Sequence, residues 1–300
     1  YPVSSGIENG LSHLQKKVDQ GYSLMVFPEG TRSFTNKPKR FHKGAFYLAQ
    51  EFNLDIVPVI IHGNSEVLPK GSFVIKNGSI NVKILDRILT SDDSFGSTYK
   101  DRTRQISNHF KQEFKAFRNE IENDTYFHDV ILEDYRYKGD AIFKEVKKDL
   151  INNKTTYKYI IDTINEDARI LHLSSDNGQL DFLLALDWPS RNITTFIKNN
   201  TIRSIVKNSY ITNAKYKIEF IDELNSINDL RINVLILNTD ELVKPGLISD
   251  IENLELIILL KESKNVNSES IDYNKFITHL ESDNLIILKK KIQHEDEISL

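Results

Sequence analysis

The spacing of apolar residues divides the first part of the chain into helices and strands. Apolar side chains at helical spacing predict a helix over 6–21. The continuous apolar run at 24–28 predicts a buried strand, and the run at 55–61, which contains one proline, predicts another. Between 72 and 88, apolar residues alternate on both sides of an Asn-Gly dipeptide, and this pattern predicts a β-hairpin.

A long helix and then a change of pattern follow. Residues 97–123 place an aromatic and aliphatic stripe on one side of a charged segment, which predicts an amphipathic helix. Residues 124–139 are aromatic and charged without a clear period. We therefore predict a first domain at 1–125 and a linker at 126–139.

From about residue 140 the pattern changes to short apolar runs separated by helical segments. Helices are predicted at 178–188 and 201–210, and strands at 168–173, 192–197, 216–221, 233–237, 254–260 and 284–288. Strands that alternate with helices in this way are typical of a parallel, doubly wound sheet. The predicted fold class is therefore α/β in both parts, with a Rossmann-like second domain at 140–300.

Composition excludes several classes of function. The 300 residues have room for about two domains of ~150 residues each. A net charge of −4 and a pI near 6.1 lack the basic bias of a nucleic-acid binder, so no nucleic-acid partner is expected. The absence of cysteine excludes disulfides, thiol catalysis and Cys-ligated zinc, and no other metal site is predicted.

The strand predicted at 24–28 runs directly into polar residues, Phe27-Pro28-Glu29-Gly30-Thr31-Arg32-Ser33. Ligands of α/β proteins usually bind at the carboxyl end of a strand. Arg32 offers a planar fork for phosphate oxygens, Gly30 lets backbone N–H groups approach, and Thr31 and Ser33 add hydroxyl donors. The whole heptapeptide therefore predicts a phosphate site, whereas its Pro-Glu-Gly core taken alone indicates an ordinary turn.

The heptapeptide resembles the glycerophosphate-binding motif of the lysophospholipid (1-acylglycerol-3-phosphate) acyltransferase family. The similarity continues through 41–46 and the proline-containing run, and it covers about 10–90. It implies that the acceptor phosphate is held by Glu29, Gly30, Thr31, Arg32, Ser33 and Lys43. It also implies an acyl-binding side shaped by Val57, Pro58 and Val59. The implied partners are a lysophospholipid or glycerophosphate acceptor and, as co-substrate, an acyl carrier protein or coenzyme A thioester, with no other cofactor for acyl transfer.

The catalytic motif of that family, a His followed by Asp five positions later, is absent from the chain. None of the eight histidines has an Asp at that spacing, and His172 has Asn177 there. In the family this His deprotonates the attacking glycerol hydroxyl. Because the motif lies upstream of the phosphate motif in the family, and 26 residues precede Phe27 here, we expect a fragment whose catalytic base lies elsewhere. No catalytic residue is therefore assigned within this chain.

Two features could bring the protein to a membrane: an anchor outside this chain, or a cationic surface within it. The longest apolar runs fall short of the ~18 residues that span a bilayer, so any anchor is expected upstream of the chain. A cationic cluster, Lys37, Lys39, Arg40 and Lys43, is either a solvated loop or a surface that attracts anionic head groups. We expect the chain alone to be soluble. Because an acyltransferase of this kind acts on a membrane lipid, we expect it to work on the cytoplasmic side of a membrane.

The second half resembles in outline, over about 140–290, a class I S-adenosylmethionine-dependent methyltransferase. In that family the loop after the first strand is rich in glycine, and here it includes Ser174, Asp176 and Gly178 and keeps only one glycine. The family also places an acidic residue after the second strand, where this chain has Ile197-Lys198-Asn199. Two alternatives stay open: an S-adenosylmethionine site at the loop, or a degenerate domain that serves as a scaffold.

Three more polar residues have two readings each. His172 lies between two leucines on a predicted strand, where a buried core or edge histidine is the commoner state. Asp176 and Asp240 follow predicted strands and could contact a ligand, or they could cap helices.

The order of the two halves also resembles large bacterial proteins in which an exporter-like membrane region precedes an acyltransferase and a methyltransferase-like domain.

Overall fold

The structure is a computed structural model that divides into two compact units. The first unit is Tyr1–Ile121 and the second is Glu122–Leu300. The described residues are 7–33, 37–68, 73, 75, 78–213, 216–224, 231–238, 248, 251–260, 271 and 274–291.

The first unit is mainly helical with one small sheet. Its elements are α1 (Ile7–Asp19), α2 (Gly44–Glu51), β1 (Val59–His62), α3 (Asn64–Val67), β2 (Asn81–Ile84) and α4 (Tyr99–Ile121). A 3-10 turn at Asp93–Phe95 precedes α4. β1 and β2 pair antiparallel, with Val59 opposite Ile84.

The strand predicted at 24–28 is not formed, and this prediction is wrong. Residues 22–27 have no regular structure, and Met25 and Phe27 are 77% and 66% exposed. A β-strand needs a neighbouring strand for its backbone hydrogen bonds. Within the described part of the first unit, β1 and β2 pair only with each other. The apolar run therefore shows strand composition without a strand partner.

The hairpin predicted at 72–88 is corrected in the same way. β2 falls at its second half, but its partner is β1 rather than the residues around Phe73 and Ile75. Those two residues are outside any strand and largely exposed, and Asn77 of the predicted turn lies outside the described residues. The alternating pattern identified a strand, but sequence proximity chose the wrong partner.

The core of the first unit lies between the sheet, the α2 helix and α4. Ile60 on β1 packs with Leu85 and Phe114, while the neighbouring cluster contains Phe41, Phe46, Ile88 and Ile106. Because side chains alternate along a strand, Val59, Val82 and Ile84 lie on the opposite face. All three are exposed, and Ile84 is 70% exposed. This small sheet thus buries one face among the described residues.

The second unit alternates helices and strands. Helices α5 (His128–Tyr135), α6 (Asp140–Asn152) and α7 (Lys154–Thr163) precede the first strand. The remaining elements are β3 (Arg169–Ser174), α8 (Gln179–Asp187), β4 (Asn192–Ile197), α9 (Asn200–Lys207), α10 (Tyr210–Asn213), β5 (Ile218–Phe220), β6 (Val234–Asn238), β7 (Leu256–Leu260), β8 (Phe276–Glu281) and β9 (Leu285–Lys290).

The sheet of the second unit has the order β5-β4-β3-β6-β7-β9-β8. The first five strands in this order are parallel, and the chain reverses direction across the sheet between β3 and β6. This is the strand order of a doubly wound, Rossmann-like sheet. The α/β class and the Rossmann-like fold predicted from the sequence are confirmed.

Two features of the second unit differ from the sequence analysis. β9 pairs antiparallel with both β7 and β8, so the sheet is not wholly parallel, and β8 was not predicted. Four of the six β8 side chains are exposed, so the strand lacks a clear apolar run. The predicted linker at 126–139 contains α5, whose Ile131 and Tyr135 are fully buried in the core of the second unit.

Both faces of this sheet are buried. One face contributes Ile170, Ile236 and Ile258 to a core shared with α5–α9, and the other contributes Leu171, Leu235 and Leu259 to a second core. Continuous apolar strands are expected where helices cover both faces. His172 is on the same face as Ile170 because strand side chains alternate.

A fully buried cation, Arg191, joins the ends of two helices to the start of β4. Its guanidinium donates to the carbonyl oxygens of Asn165 at 3.1 Å and Ile161 at 2.9 Å and to two further carbonyls, those of Ile164 and Leu184. It also donates to the Asp187 carboxylate at 2.9 Å. Carbonyls at helix ends have no partner within the helix, so Arg191 supplies the donors they lack.

Candidate functional site

The predicted phosphate motif forms a tight turn at the surface of the first unit. Gly30 has φ +69°, and its N–H donates to the Phe27 carbonyl at 3.0 Å. This left-handed conformation favours glycine. A Cβ at Gly30 would also lie 3.2 Å from the His42 ring. The glycine therefore serves the turn and the close packing of His42 as well as the predicted approach of a ligand.

Two hydrogen bonds tie the motif to the cationic segment at 39–43. The His42 N–H donates to the Pro28 carbonyl at 2.7 Å. The Lys39 N–H donates to the Glu29 carboxylate at 2.9 Å. Glu29 thus acts on the backbone of this chain, and a carboxylate facing outward would repel a phosphate. The two contacts bring the segment that carries Arg40 and Lys43 beside the motif.

The donors of the motif face solvent. Thr31, Arg32 and Lys43 are exposed, and Ser33 is half-buried. Arg32 Nη1 donates to the Leu68 carbonyl at 3.2 Å, which leaves other N–H groups of its fork directed elsewhere. Lys43 immediately precedes α2 and so lies at the N-terminus of that helix, the end at which anions are favoured. The arrangement concentrates cationic and hydroxyl donors on one surface loop.

The residues predicted to shape the acyl side lie at the start of β1. Pro58 is buried, and its carbonyl accepts a hydrogen bond from the Leu85 N–H at 3.0 Å. Val57 and Val59 are exposed on the other side of the strand. Proline at the beginning of a strand fits because that position needs no ladder donor. The two valines present an apolar surface, as an acyl-chain contact requires.

In the second unit, the expected ligand-binding position is at the carboxyl ends of β3 and β6. The strand order reverses there, and doubly wound sheets bind ligands at such a crevice. Ser175 Oγ donates to the Asn238 carbonyl at 2.7 Å, which joins the loop after β3 to the end of β6. The Asn238 amide lies 3.3 Å from the Asp176 carboxylate. Ser174 and Asp176 of the predicted loop are therefore at the expected position.

The loop after β3 satisfies its own backbone donors. The N–H of Asp176 donates to Ser174 Oγ at 2.9 Å, and the N–H of Gly178 donates to Asp176 Oδ1 at 2.7 Å. Between them, the Asn177 N–H donates to Gln179 Oε1 at 3.0 Å. Three consecutive amide groups are thus occupied by side chains of the same loop. A bound anion would have to displace these side chains.

Gly178 is required by packing. Its φ is +82°, and a Cβ at this position would lie 2.7 Å from Val206 Cγ1 on α9. Contacts this short are not seen for real side chains, so any larger residue must displace Val206. The one glycine kept from the methyltransferase pattern therefore has a structural explanation.

The end of β4 has no acidic side chain for a ribose. Lys198 is exposed, and Asn199 caps α9 by accepting from the N–H groups of Thr201 at 3.0 Å and Ile202 at 3.2 Å. Asp240, the other aspartate considered from the sequence, lies outside the described residues.

Sequence reasoning missed the polar cluster beneath this loop. His172 Nδ1 lies 2.8 Å from Asp181 Oδ1, and Thr195 Oγ1 donates to the same oxygen at 2.7 Å. His172 and Asp181 are fully buried. The available signal was an aspartate in the apolar helix at 179–187, because a carboxylate there needs a partner. Asp176 caps no helix; it accepts hydrogen bonds from the Gly178 N–H in its own loop and from the Asn238 amide at the end of β6.

Burial sets the protonation of the groups around the loop. Desolvation raises the pKa of Asp176 to about 6, opposed by the nearby His172. Desolvation lowers the pKa of His172, but the attraction of Asp181 outweighs it, and the net direction is upward. Burial also raises the pKa of Tyr135 and Tyr157 well above the usual range, so both phenols stay protonated.

Comparison with solved structures gives weak similarities to methyltransferases. A precorrin-6y C5,15-methyltransferase from Geobacter metallireducens aligns with 46% of this chain and 88% of its own at 7% identity and a TM-score of 0.38. An rRNA methylase from Streptococcus thermophilus aligns with 46% of this chain and 95% of its own at 14% identity and a TM-score of 0.33. The Rossmann-like fold of the second unit therefore rests on its own strand order.

Comparison of sequences matches the first unit to acyltransferases. The 1-acyl-sn-glycerol-3-phosphate acyltransferase of Saccharomyces cerevisiae is 38% identical over 88 residues, which are 29% of this chain and 28% of that protein. The corresponding protein of Cocos nucifera is 35% identical over 89 residues, 30% and 29% of the two chains. The chain thus spans less than a third of the length of these curated relatives.

The family model for Acyltransferase matches residues 5–62, a range that contains the turn at Gly30, the cationic segment and all of β1. No helix among the described residues is long and apolar enough to cross a membrane. Residues 5–62 are therefore similar to the acyltransferase family, and the same chain carries a Rossmann-like α/β unit after them.

Proposed function

We propose that the first unit binds the acceptor phosphate of an acyltransferase. The reaction moves a fatty acyl group from an acyl carrier protein or coenzyme A thioester to the hydroxyl of a lysophospholipid or glycerophosphate-type acceptor. The observation that carries this proposal is the exposed Arg32 on a glycine turn inside the family-matched segment. The names of the relatives, 1-acyl-sn-glycerol-3-phosphate acyltransferases, agree with such an acceptor.

The residues of the motif have separate tasks in this proposal. Arg32 pairs with two phosphate oxygens, and Thr31 and Ser33 donate from their hydroxyls. Lys43 adds a point charge on the adjoining segment. Glu29 positions the loop by holding the Lys39 N–H, and Gly30 closes the turn. Val57 and Val59, on either side of the buried Pro58, offer the acyl chain an apolar surface.

These residues bind and orient, and none of them removes the proton from the attacking hydroxyl. The sequence contains no His with an Asp five positions later. A general base within hydrogen-bonding reach of the hydroxyl is needed for attack on the thioester. We expect no acyl transfer above background from the 300 residues alone with lysophosphatidate and oleoyl-coenzyme A. Turnover by this chain would show that another group is the base.

The test of the phosphate site is Arg32→Ala in the full-length protein. We expect an increase of about tenfold or more in the KM for the acceptor with little change in kcat, because the phosphate is held in both the ground and transition states. The matched control is Arg87→Ala, another exposed arginine of the first unit, which pairs with Asp55. An unchanged KM for Arg32→Ala, or an equal change for Arg87→Ala, would refute the proposed role.

A second candidate function concerns the second unit, which we propose is a non-catalytic Rossmann-like module. The favouring observation is that the amides of Asp176, Asn177 and Gly178 already donate to side chains of their own loop. The alternative is S-adenosylmethionine binding and methyl transfer. Calorimetry of the 300-residue chain with S-adenosylmethionine separates the two, with a known methyltransferase as positive control. No heat at millimolar ligand supports the module, and micromolar binding supports the methyltransferase.

A further inference from the structure

One imidazole ring of the first unit lies directly against the predicted phosphate turn. A Cβ at Gly30 would lie 3.2 Å from His42 Cδ2 and 3.4 Å from His42 Nε2, so this edge of the ring faces the glycine. The His42 N–H donates to the Pro28 carbonyl at 2.7 Å, and this bond fixes the backbone of His42 beside the turn. The residue is exposed, and no hydrogen bond to the described part of the chain occupies its ring nitrogens. The turn that carries Arg32 is therefore bordered by an imidazole edge that is open to a ligand.

The charges around His42 favour an anion. Lys39, Arg40 and Lys43, on the same segment as His42, are exposed cations. The carboxylate of Glu29, in the turn itself, already accepts the Lys39 N–H at 2.9 Å. Helix α2 begins two residues after His42, with no acidic residue in its first turn and no side-chain cap. An anion at this turn is therefore favoured by the cations of the segment and by the N-terminal end of α2.

Histidine supplies the kind of donor that a phosphate needs. The terminal oxygens of a phosphate monoester accept hydrogen bonds, and there are three of them. The planar fork of Arg32 pairs with two, and one of its nitrogens also donates to the Leu68 carbonyl at 3.2 Å. An imidazole N–H donates whether the ring is neutral or protonated, and a protonated ring adds positive charge. His42 therefore offers a donor from a segment of the chain outside the heptapeptide.

We propose that His42 is a further binding residue for the acceptor, and that its ring N–H donates to a phosphate oxygen beside the Gly30 turn. The inference rests on the acceptor-phosphate site proposed for the first unit, and it adds to that site a residue outside the heptapeptide. Because Gly30 has no side chain, the space between the turn and the ring edge is open. His42 holds the phosphate and transfers no proton, so its loss weakens acceptor binding and leaves the chemical step unchanged.

Two substitutions in the full-length protein separate phosphate binding from packing. His42→Phe keeps a ring against Gly30 and removes both nitrogens, whereas His42→Lys keeps a cationic donor and removes the ring. With lysophosphatidate as acceptor, we expect His42→Phe to raise KM about fivefold at unchanged kcat, and His42→Lys to stay within about twofold of the wild type. The matched control is His13→Ala, which removes an exposed histidine of α1 and should change neither constant.

The possible results distinguish this inference from the proposed function. An unchanged KM for His42→Phe, or equal increases for His42→Phe and His42→Lys, would overturn the role of His42. A fall in kcat at unchanged KM would also overturn it, because that is the effect of losing a proton-transfer group. If Arg32→Ala raises KM in the same assay, the phosphate site stands without His42. If Arg32→Ala leaves KM unchanged as well, the phosphate site itself is refuted.

A second measurement on the wild-type protein needs neither a variant nor turnover. Diethyl pyrocarbonate modifies accessible histidine nitrogens, and peptide mass spectrometry gives the rate at each position. We expect sn-glycerol 3-phosphate to slow the modification of His42 but not of His13, and glycerol at the same concentration to slow neither. Equal rates at His42 with and without sn-glycerol 3-phosphate would contradict the proposal.

Discussion

The two loops that follow predicted strands, at 28–33 in the first unit and at 174–178 in the second, use their polar groups in opposite ways. In the first, the cationic and hydroxyl side chains Thr31 and Arg32 are exposed, and the backbone turn is closed by glycine. In the second, three consecutive backbone amides donate to the side chains of Ser174, Gln179 and Asp176. The donor side chains of the first loop are exposed to solvent, and the amide donors of the second loop are used within the protein.

The difference shows that the specificity of a sequence motif and the completeness of the fold around it are separate properties. The first loop has a specific heptapeptide on a segment with little regular structure and an exposed sheet face. The second has a complete Rossmann-like sheet and a loop sequence that departs from the ligand-binding pattern. A fold alone does not establish function, and the chemistry of the site has to be argued residue by residue.

The largest expected effect tests how much the second unit depends on buried polar contacts. Arg191→Met removes a cation that serves four carbonyl oxygens and the Asp187 carboxylate. We expect the free energy of unfolding to fall by about 3–5 kcal/mol, because buried acceptors and a carboxylate lose their partner. Urea unfolding monitored by Trp188 fluorescence measures the loss. The control Arg136→Ala, at an exposed ion pair with Glu133, should cost less than about 1 kcal/mol.

The next effect compares the two faces of the small sheet in the first unit. Ile60→Ala should destabilise the first unit by about 3 kcal/mol, because this side chain is fully buried against Leu85 and Phe114. Ile84→Ala should change stability by less than about 0.5 kcal/mol, because its side chain is mostly exposed. Hydrogen exchange of α4 amides measures both. Equal losses would mean that the exposed face is covered in solution.

A smaller effect tests whether packing against Val206 accounts for the glycine at position 178. Gly178→Ala should cost about 2 kcal/mol, from the strained φ of +82° and the contact with Val206. Val206→Ala should remove the steric part, so the double variant loses less than the sum of the two single variants by about 0.5–1 kcal/mol. Additive losses would show that Val206 does not constrain the loop.

The smallest effect on stability is expected at the phosphate motif. Arg32→Ala and Thr31→Ala should each change the free energy of unfolding of the first unit by less than about 0.5 kcal/mol, because both side chains are exposed. Circular dichroism during urea unfolding measures this change. A loss above 1 kcal/mol for Arg32→Ala would mean that its bond to the Leu68 carbonyl maintains the loop, and that its role is structural.

The sequence predicted most of the second unit because continuous apolar runs identify strands that are buried on both faces. β3, β4, β6 and β7 all begin and end near the predicted positions. β8 was missed because its side chains are largely exposed, and the antiparallel direction of β9 has no local signal. In the first unit, residues 24–27 have the composition of a strand, but strand formation depends on a partner that composition does not reveal.

In the candidate sites too, features set by neighbouring residues could be predicted, and features set by the tertiary fold could not. The turn at Gly30 agrees with what the Pro-Glu-Gly core indicated, because a glycine turn follows from short-range chemistry, and the phosphate site stays a prediction. The cluster of His172, Asp181 and Thr195 joins β3, α8 and β4, so only the tertiary fold brings it together. The mutual satisfaction of the loop amides likewise depends on rotamers that residue letters do not specify.

The position of β9 has a consequence for biosynthesis. β9 lies between β7 and β8 in the sheet although it follows both in the chain. On the ribosome, the edge of β7 therefore has no partner until residues 285–290 have emerged from the exit tunnel. Unpaired edges of apolar strands are templates for aggregation, and β7 consists of Leu256–Leu260. We therefore expect the nascent chain to be most prone to aggregation in the interval before β9 has emerged from the tunnel.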